Sequence, residues 1–310
     1  MQTTPAPPRP TSIPTAARRK APIRDLKPLK RAPEERVNWP RSIPFFLVHL
    51  LCFAAIWTGI TPTAAVLFFV MFASRSLFVT AAYHRYFSHK TYKLNRFWQF
   101  VFAFQAQASA QKGVLWWAAN HRHHHRYSDT ERDLHSPRKG FWWSHVGWIL
   151  CDRYKATDYT AIKDFAKYPE LRFMNKHDWI APWTYGVLAF LIGGWPSLVV
   201  GFFWSTVLLW HTTFLVNSAA HVFGKRRYET SDTSRNSLLI ALVTGGEGWH
   251  NNHHHYQASA RQGFFWWEID VTYYFLVVLS WIGIVKDLKP VPERVLRNEP
   301  SPEEIDLTAA

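Results

Sequence analysis

The chain has 310 residues, 48% hydrophobic and 17% aromatic, with 17 Trp, 16 His and two Cys. The two cysteines, Cys52 and Cys151, exclude a disulfide scaffold and a cysteine-based metal site. The formal net charge is +14, but the aromatics sit in apolar runs rather than along a basic stripe, which speaks for a membrane protein and against nucleic-acid binding.

Residues 1–40 are rich in Pro, Ala, Thr, Lys and Arg without apolar periodicity, and are expected to form a disordered basic tail. Residues 1–41 carry ten Lys/Arg against three acids, the bias that marks the cytoplasmic flank of a first span. No signal peptide is expected, because the first apolar run begins at Ile43 without a small-residue cleavage pattern. Residues 43–60 are uncharged and just long enough to cross a bilayer. After a turn at Thr61-Pro62-Thr63, residues 64–82 return, interrupted only by Arg75. Of the two readings for an arginine within a span, snorkelling to the interface is preferred over a packed polar contact.

Residues 83–178 are polar and rich in His and Trp. Their one apolar stretch, Phe97 to Ala110, is short and Gln-rich, which predicts an interfacial or buried helix. Residues 180–194 and 198–216 form a second apolar hairpin around Gly193-Gly194-Trp195-Pro196. Phe264 to Val285 is apolar but broken by Glu268 and Asp270, which predicts an interfacial amphipathic helix. Residues 291–310 are expected to be an irregular tail. The predicted fold class is an all-α membrane protein: four transmembrane helices in two hairpins, with residues 41–290 as one integral membrane unit carrying a cytosolic helical domain. Two complete hairpins return every polar segment to the side of the basic N-terminus.

Four histidine groups occupy those polar segments. His250, His253 and His254 follow a His-x-x-His-His pattern, and His121, His124 and His125 repeat it. Residues three and four apart share a helical face, so each set aims its imidazoles at one point. His84 and His89 are spaced His-x4-His, and Asn217 and His221 stand at i and i+4. Nine histidines exceed what one zinc takes, whereas two ions with four or five imidazoles each suit iron with a position left for water or oxygen. Asn217 is read as holding a metal-bound water. No His-Glu-x-x-His occurs, which excludes the usual zinc-protease reading. His123 is turned roughly 200° from His121, and His255 roughly 140° from His250, so both should point away. His135, His145 and His177 are read as interfacial or hydrogen-bonded, and His49 and His211 as satisfied within the bundle. Asp129, Glu131, Asp133 and Glu247 either orient imidazoles through their second nitrogens or are solvated loop charges.

His-Arg-Tyr-Phe-Ser-His (84–89), His-Arg-His-His-His (121–125), Asn-Ser-Ala-Ala-His (217–221) and Gly-Glu-Gly-Trp-His-Asn-Asn-His-His (246–254) together resemble the membrane fatty acyl desaturases of the stearoyl-CoA desaturase type. Ser259-Ala260-Arg261-Gln262-Gly263 and Trp266-Trp267-Glu268-Ile269-Asp270 resemble their bacterial branch. The resemblance covers about residues 43–290. It implies a four-span protein of a bacterial inner membrane, with termini and active site cytoplasmic and two Fe2+ ions in the site. It further implies Δ9 desaturation with O2 as co-substrate, acting on a fatty acyl chain carried most readily by CoA, with a phospholipid-bound chain as the other carrier. Phe72 and Ser76, twelve and eight residues before the first His, correspond to positions that close the substrate tunnel. Ala119-Asn120 and Phe214 replace groups that hold the substrate's head-group end, while Arg122, Arg126, Arg138 and Lys139 are candidates to pair with CoA phosphates. The chain has no His-Pro-Gly-Gly, so electrons are expected from a separate ferredoxin or cytochrome b5-like donor and its reductase. A membrane di-iron hydroxylase and a non-enzymatic metal-binding membrane protein are the alternatives. Product analysis separates the first, and metal binding without oxygen consumption the second.

Overall fold

The computed structural model describes residues 27–299. Most of the expected disordered tail and of the last stretch, 300–310, therefore lies outside the described residues. Among the described residues the chain is helical, and β pairing is confined to isolated bridges such as Val37–Cys151 and Asn236–Trp249.

Helix α1 (Trp39–Leu51) starts where the Asn38 side chain accepts from the Arg41 N–H at 3.2 Å, with Pro40 in the first turn. It continues with a change of pitch to Thr58; Trp39–Thr58 is mostly exposed, with Ile56 76% and Trp57 81% exposed, while Ser42 is buried and Val48 and Leu51 pack on the neighbouring helices. Thr61 caps α2 (Pro62–Phe78) by accepting from Ala64 N–H at 3.2 Å. Beyond Phe78 the helix continues as a π-helical stretch, Val79–Ser88, with every residue buried. Next come α3 (Arg96–Gln107), α4 (Val114–Tyr127) and α5 (Pro169–Lys176). Then α6 (Ile180–Pro196) leads through a second π-helical stretch, Ser197–Trp204, into α7 (Ser205–Asn217) and the one-turn α8 (Ala219–Val222). Further helices are α9 (Leu238–Val243), α10 (His250–His255) and α11 (Val271–Trp281), besides single turns at Lys163–Ala166 and at Glu293–Leu296, the latter within the tail expected to be irregular.

Among the described residues, three helical segments are long and apolar enough to cross a membrane: Trp39–Thr58, Pro62–Ser88 and Ile180–Val222. The last is interrupted at Gly193 and Gly194, whose backbone is not helical. Gly194 takes φ 64° and ψ −154°, a region that only glycine enters without strain. Gly186 before the break packs closely on Phe202 after it, where a Cβ would lie only 3.3 Å from the ring.

Several expectations change. Arg75 does not snorkel: it is fully buried, and its guanidinium donates to Met71 O at 2.9 Å, Ala108 O at 3.3 Å and Thr206 Oγ1 at 2.7 Å. Inside apolar surroundings, several fixed acceptors are what a guanidinium needs. Glu268 and Asp270 do not interrupt an amphipathic helix. Both are buried before α11 begins, and Asp270 caps it by accepting from Tyr273 N–H at 3.0 Å. Residues 27–38 are irregular but docked, with Leu29 N–H bonded to Arg138 O at 2.8 Å and buried Glu35 paired with Lys139 Nζ at 2.6 Å. The stretch 96–107 is a half-buried helix in which Gln107 bonds Met174 O and Val114 N–H, while Gln99 accepts from Tyr86 OH and leaves its buried Nε2 without a partner.

The helical ends meet in one core that includes Tyr83 and Phe87, Phe102 on α3, Leu115 on α4 and Leu171 on α5. This core fixes Val79–Ser88 against α4, which positions the histidines. Gly194→Ala is expected to cost about 1–3 kcal/mol through forbidden backbone geometry, read as a lower thermal midpoint of the detergent-solubilised protein.

Candidate metal centre

His84 and His89 lie five residues apart, a spacing that an α-helix would splay by roughly 140°. The π-helical turn resolves this, because its hydrogen bonds join residues five apart. His89 N–H donates to His84 O at 3.3 Å, and the two rings stand 4.9 Å apart. Helix α4 brings His121, His124 and His125, α8 brings His221, and α10 brings His250, His253 and His254.

These nine imidazoles form two groups. In the first, one ligating atom each from His84, His89, His121, His125 and His253 lies within 4.8 Å of all the others. His124, His221, His250 and His254 make the second on the same criterion. Helices α4 and α10 each feed both groups, so the groups are neighbours. Within the first, Nε2 atoms stand 3.0 Å apart for His84–His253, 2.9 Å for His89–His121, 2.9 Å for His121–His125 and 3.0 Å for His125–His253. In the second, His221 and His250 stand at 3.1 Å.

The donor set fits metal ions. Four of the histidines have an Nδ1 facing a carboxylate: His84 faces Glu247, His124 faces Asp133 at 3.0 Å, His221 faces Asp129 at 3.3 Å and His254 faces Asp232 at 2.8 Å. A proton donated outward to a carboxylate leaves Nε2 as a bare lone pair pointing inward. The inward Nε2 atoms of His124 and His254 are buried with no hydrogen-bond partner. Converging lone pairs repel unless a cation stands between them. Two nitrogens about 2.1 Å from one ion and at right angles would be about 3.0 Å apart, the spacing found here. Neutral imidazole ligands suit iron as well as zinc or copper.

The carboxylates are themselves fixed. Asp129 accepts from Thr233 N–H at 2.7 Å, Asp133 from Asp129 N–H at 2.9 Å, and Asp232 from Ser234 N–H at 2.9 Å. Burial alone would push Glu247 and Asp133 up, but His84 and Arg85 at the first, and His124 and His135 at the second, hold both near about 2. Burial and then the neighbouring imidazoles hold His89, His121, His125, His250 and His253 well below the usual histidine range. Gly246 packs against this support with φ +122°, and a built Cβ would come within 2.4 Å of Asp270 Oδ1.

The other sequence candidates separate. His123 bonds Arg132 O at 2.9 Å and His255 stacks on Tyr228, both away from the two groups. Asp129, Asp133 and Glu247 hold imidazoles, whereas Glu131 is exposed. His49 and His211 join at 3.0 Å, and His145 bonds His211 and Ser218, so these three are satisfied among themselves. Arg122 is taken by Asp164 and by Ser88 and Phe87 carbonyls, Arg138 by Lys27 and Asp129 carbonyls, and Lys139 by Glu35. Of the four basic candidates, Arg126 alone is exposed without an ion pair among the described residues. Phe214 is buried with its ring against His145 and His211. Asp232 went unrecognised in the sequence: it lies 22 positions before the histidine it orients, with no spacing rule to connect them. His135, read as interfacial or hydrogen-bonded, is buried and stacks at 4.1 Å on His124.

One cavity reaches both groups. His84 and His121 line it from the first, and His124 and His250 from the second. It continues between Ser76, Val79 and Thr80 on one side and Thr212, Thr213, Val216 and Asn217 on the other, with Trp117 as a further wall. Ser76 and Asn217 therefore stand on this cavity, while Phe72 is not among its lining residues.

Comparison with known proteins identifies the family. The family model described as fatty acid desaturase matches residues 57–273. The chain is 34% identical over 268 residues to an sn-2 palmitoyl-lipid 9-desaturase of Nostoc sp., covering 85% of this chain and 94% of that protein. It is 36% identical over 266 residues to an sn-1 stearoyl-lipid 9-desaturase of Synechocystis sp., covering 84% and 83%. An acyl-CoA C20 Δ5-desaturase of Anemone leveillei is 36% identical over 258 residues, covering 82% of each chain.

The depressed histidines bind fewer protons folded than unfolded, so the stability they contribute is complete above about pH 6.5 and falls below it. Glu247 and Asp133 add a second loss from about pH 4 down towards 2. The metal-free protein should consequently unfold at lower temperature at pH 5.5 than at pH 7.5, as read by tryptophan fluorescence. Equal midpoints would contradict the neutral, buried cluster.

Proposed function

The chain belongs to the fatty acid desaturase family, and we propose that it is an O2-dependent membrane desaturase placing a cis double bond at Δ9 of a saturated acyl chain. The observation that carries this reading is the cavity that touches both histidine groups and then runs between Pro62–Ser88 and α7. An extended alkyl chain lying there would present its methylenes to both metal positions. The overall balance is one saturated chain, O2, two electrons and two protons giving one alkene and two waters.

No side chain at the site is a strong enough base to remove a proton from an unactivated methylene. Two iron ions held by the nine histidines supply the activation of O2 that this C–H bond requires. The protein's own residues position and exclude. Val79, Val216 and Trp117 give an apolar wall that keeps water from the reacting carbons, and Asn217 offers an amide beside His124 and His250 to hold a water. Ser76 borders the part of the cavity along the second span, where a larger side chain would shorten the space for the methyl end.

The membrane reading follows the same residues. The break at Gly193-Gly194 supports two crossings within Ile180–Val222, hence four spans in two hairpins. The basic N-terminal flank supports a cytoplasmic site and cytoplasmic termini, in a bacterial inner membrane. Electrons then come from a soluble or membrane-bound donor of the ferredoxin or cytochrome b5 kind. For the acyl carrier, a membrane glycerolipid is favoured over CoA. Arg122, Arg138 and Lys139 are occupied by protein partners, which leaves Arg126 as the cation of that set without an ion pair among the described residues. Resemblance alone does not choose, since lipid-acting and CoA-acting relatives are about equally identical.

Expression in a desaturase-deficient host, with gas chromatography–mass spectrometry of its lipids, tests the reaction. The expected product is a cis-Δ9 monounsaturated chain that is absent with His253→Ala, and a hydroxylated chain would move the protein to the hydroxylase reading. Ser76→Phe is expected to shift the product towards shorter chains while leaving the double bond at Δ9.

A further inference from the structure

The two metal positions are built differently. At the four-histidine position, three ligands are each backed by a separate buried carboxylate: Asp133 behind His124, Asp129 behind His221 and Asp232 behind His254. No lysine or arginine forms an ion pair with these three among the described residues. At the five-histidine position only His84 has a carboxylate behind it. That carboxylate, Glu247, is shared with the buried guanidinium of Arg85 at 2.9 Å, which also pairs with Asp270 at 2.9 Å. Among the described residues, the remaining four, His89, His121, His125 and His253, have no carboxylate on the outward nitrogen, the paired histidines being His84, His124, His221 and His254. Burial differs in the same direction. His124, His221, His250 and His254 are 1%, 2%, 2% and 8% exposed, whereas His89, His121 and His125 are only half-buried.

Resting on the di-iron reading, we propose that the positions are inequivalent: the four-histidine position retains its ion, and the five-histidine position is the exchangeable one. A carboxylate on the outward nitrogen makes an imidazole more basic and fixes its orientation, and each such partner is worth about 10- to 100-fold in metal affinity. Two more partners on one side therefore favour it by at least about 100-fold. A fifth imidazole works the other way, but it is one more neutral donor. It is opposed by three carboxylates, none of them ion-paired to Lys or Arg among the described residues, held in a region of low dielectric, where attraction to a dication is least screened. Residue burial points the same way, because His89, His121 and His125 are less buried than any ligand of the four-histidine position. Asp129, Asp133 and Asp232 are thus positioning residues that rank the two ions.

The test counts metal and needs no acyl substrate or electron donor. Full-length protein in detergent is loaded anaerobically with Fe2+ to two ions per chain and challenged with a chromogenic ferrous chelator. Two phases of equal size are expected, the slow one at least about 100-fold slower. Asp232→Asn should accelerate the slow phase about 10- to 100-fold and leave the fast phase unchanged. His89→Ala should remove the fast phase and leave one slowly released ion. In each variant the unaltered phase reports that the chain is folded. Release of both ions in one phase, or acceleration of only the fast phase by Asp232→Asn, would overturn the ranking. Clean ranking with no unsaturated product would instead retire the desaturase reading alone.

Discussion

The structure depends on one electrostatic requirement, namely that nine imidazoles with converging lone pairs be held together in a buried place. Neutral rings 2.9–3.1 Å apart at Nε2 cannot all satisfy one another, because each ring nitrogen either carries a proton or does not. Carboxylates on the outside fix the proton on Nδ1 for His84, His124, His221 and His254, which leaves the interior a cage of acceptors. Such a cage is stable as a cation site. Much of the surrounding polar architecture follows from holding those carboxylates: Arg85 with Glu247 and Asp270, Gly246 packed against Asp270, and the Ser–Thr loop 230–234 around Asp232.

The apolar frame serves the same end. The core around Tyr83, Phe87 and Leu115 locks the Val79–Ser88 stretch to α4, so the histidines of both segments share one register. Because that stretch is the continuation of α2, the cavity between α2 and α7 opens directly onto the metal cage. Position of substrate and position of metal are thus set by one rigid element, which is what selection of one carbon along a uniform alkyl chain demands.

Much of this was legible in the sequence, and the failures have physical causes. The i, i+3, i+4 spacing of α4 and α10 identified six histidines, because helical periodicity is a local property. His84 and His89 were matched by motif, but the π-helical turn that brings them together was not, since no local pattern distinguishes it from an α-helix. Asp232 was invisible for a different reason: a carboxylate supplied across 22 residues depends on tertiary folding alone. Arg75 was misplaced because a single charge in an apolar run looks alike whether it reaches for the interface or for Thr206 and Ala108. Glu268 and Asp270 looked like the polar face of a helix and proved to be buried partners of Arg227 and Arg85. The break at Gly193-Gly194, by contrast, was readable because paired glycines before Trp-Pro are a backbone signal in themselves.

The measurement closest to the central claim is iron-edge X-ray absorption of the purified chain, combined with metal content per chain. The account predicts two irons and a first shell of nitrogen and oxygen at about 2.1 Å without sulfur. A single bound ion, or a shell containing sulfur, would contradict a nine-histidine binuclear centre.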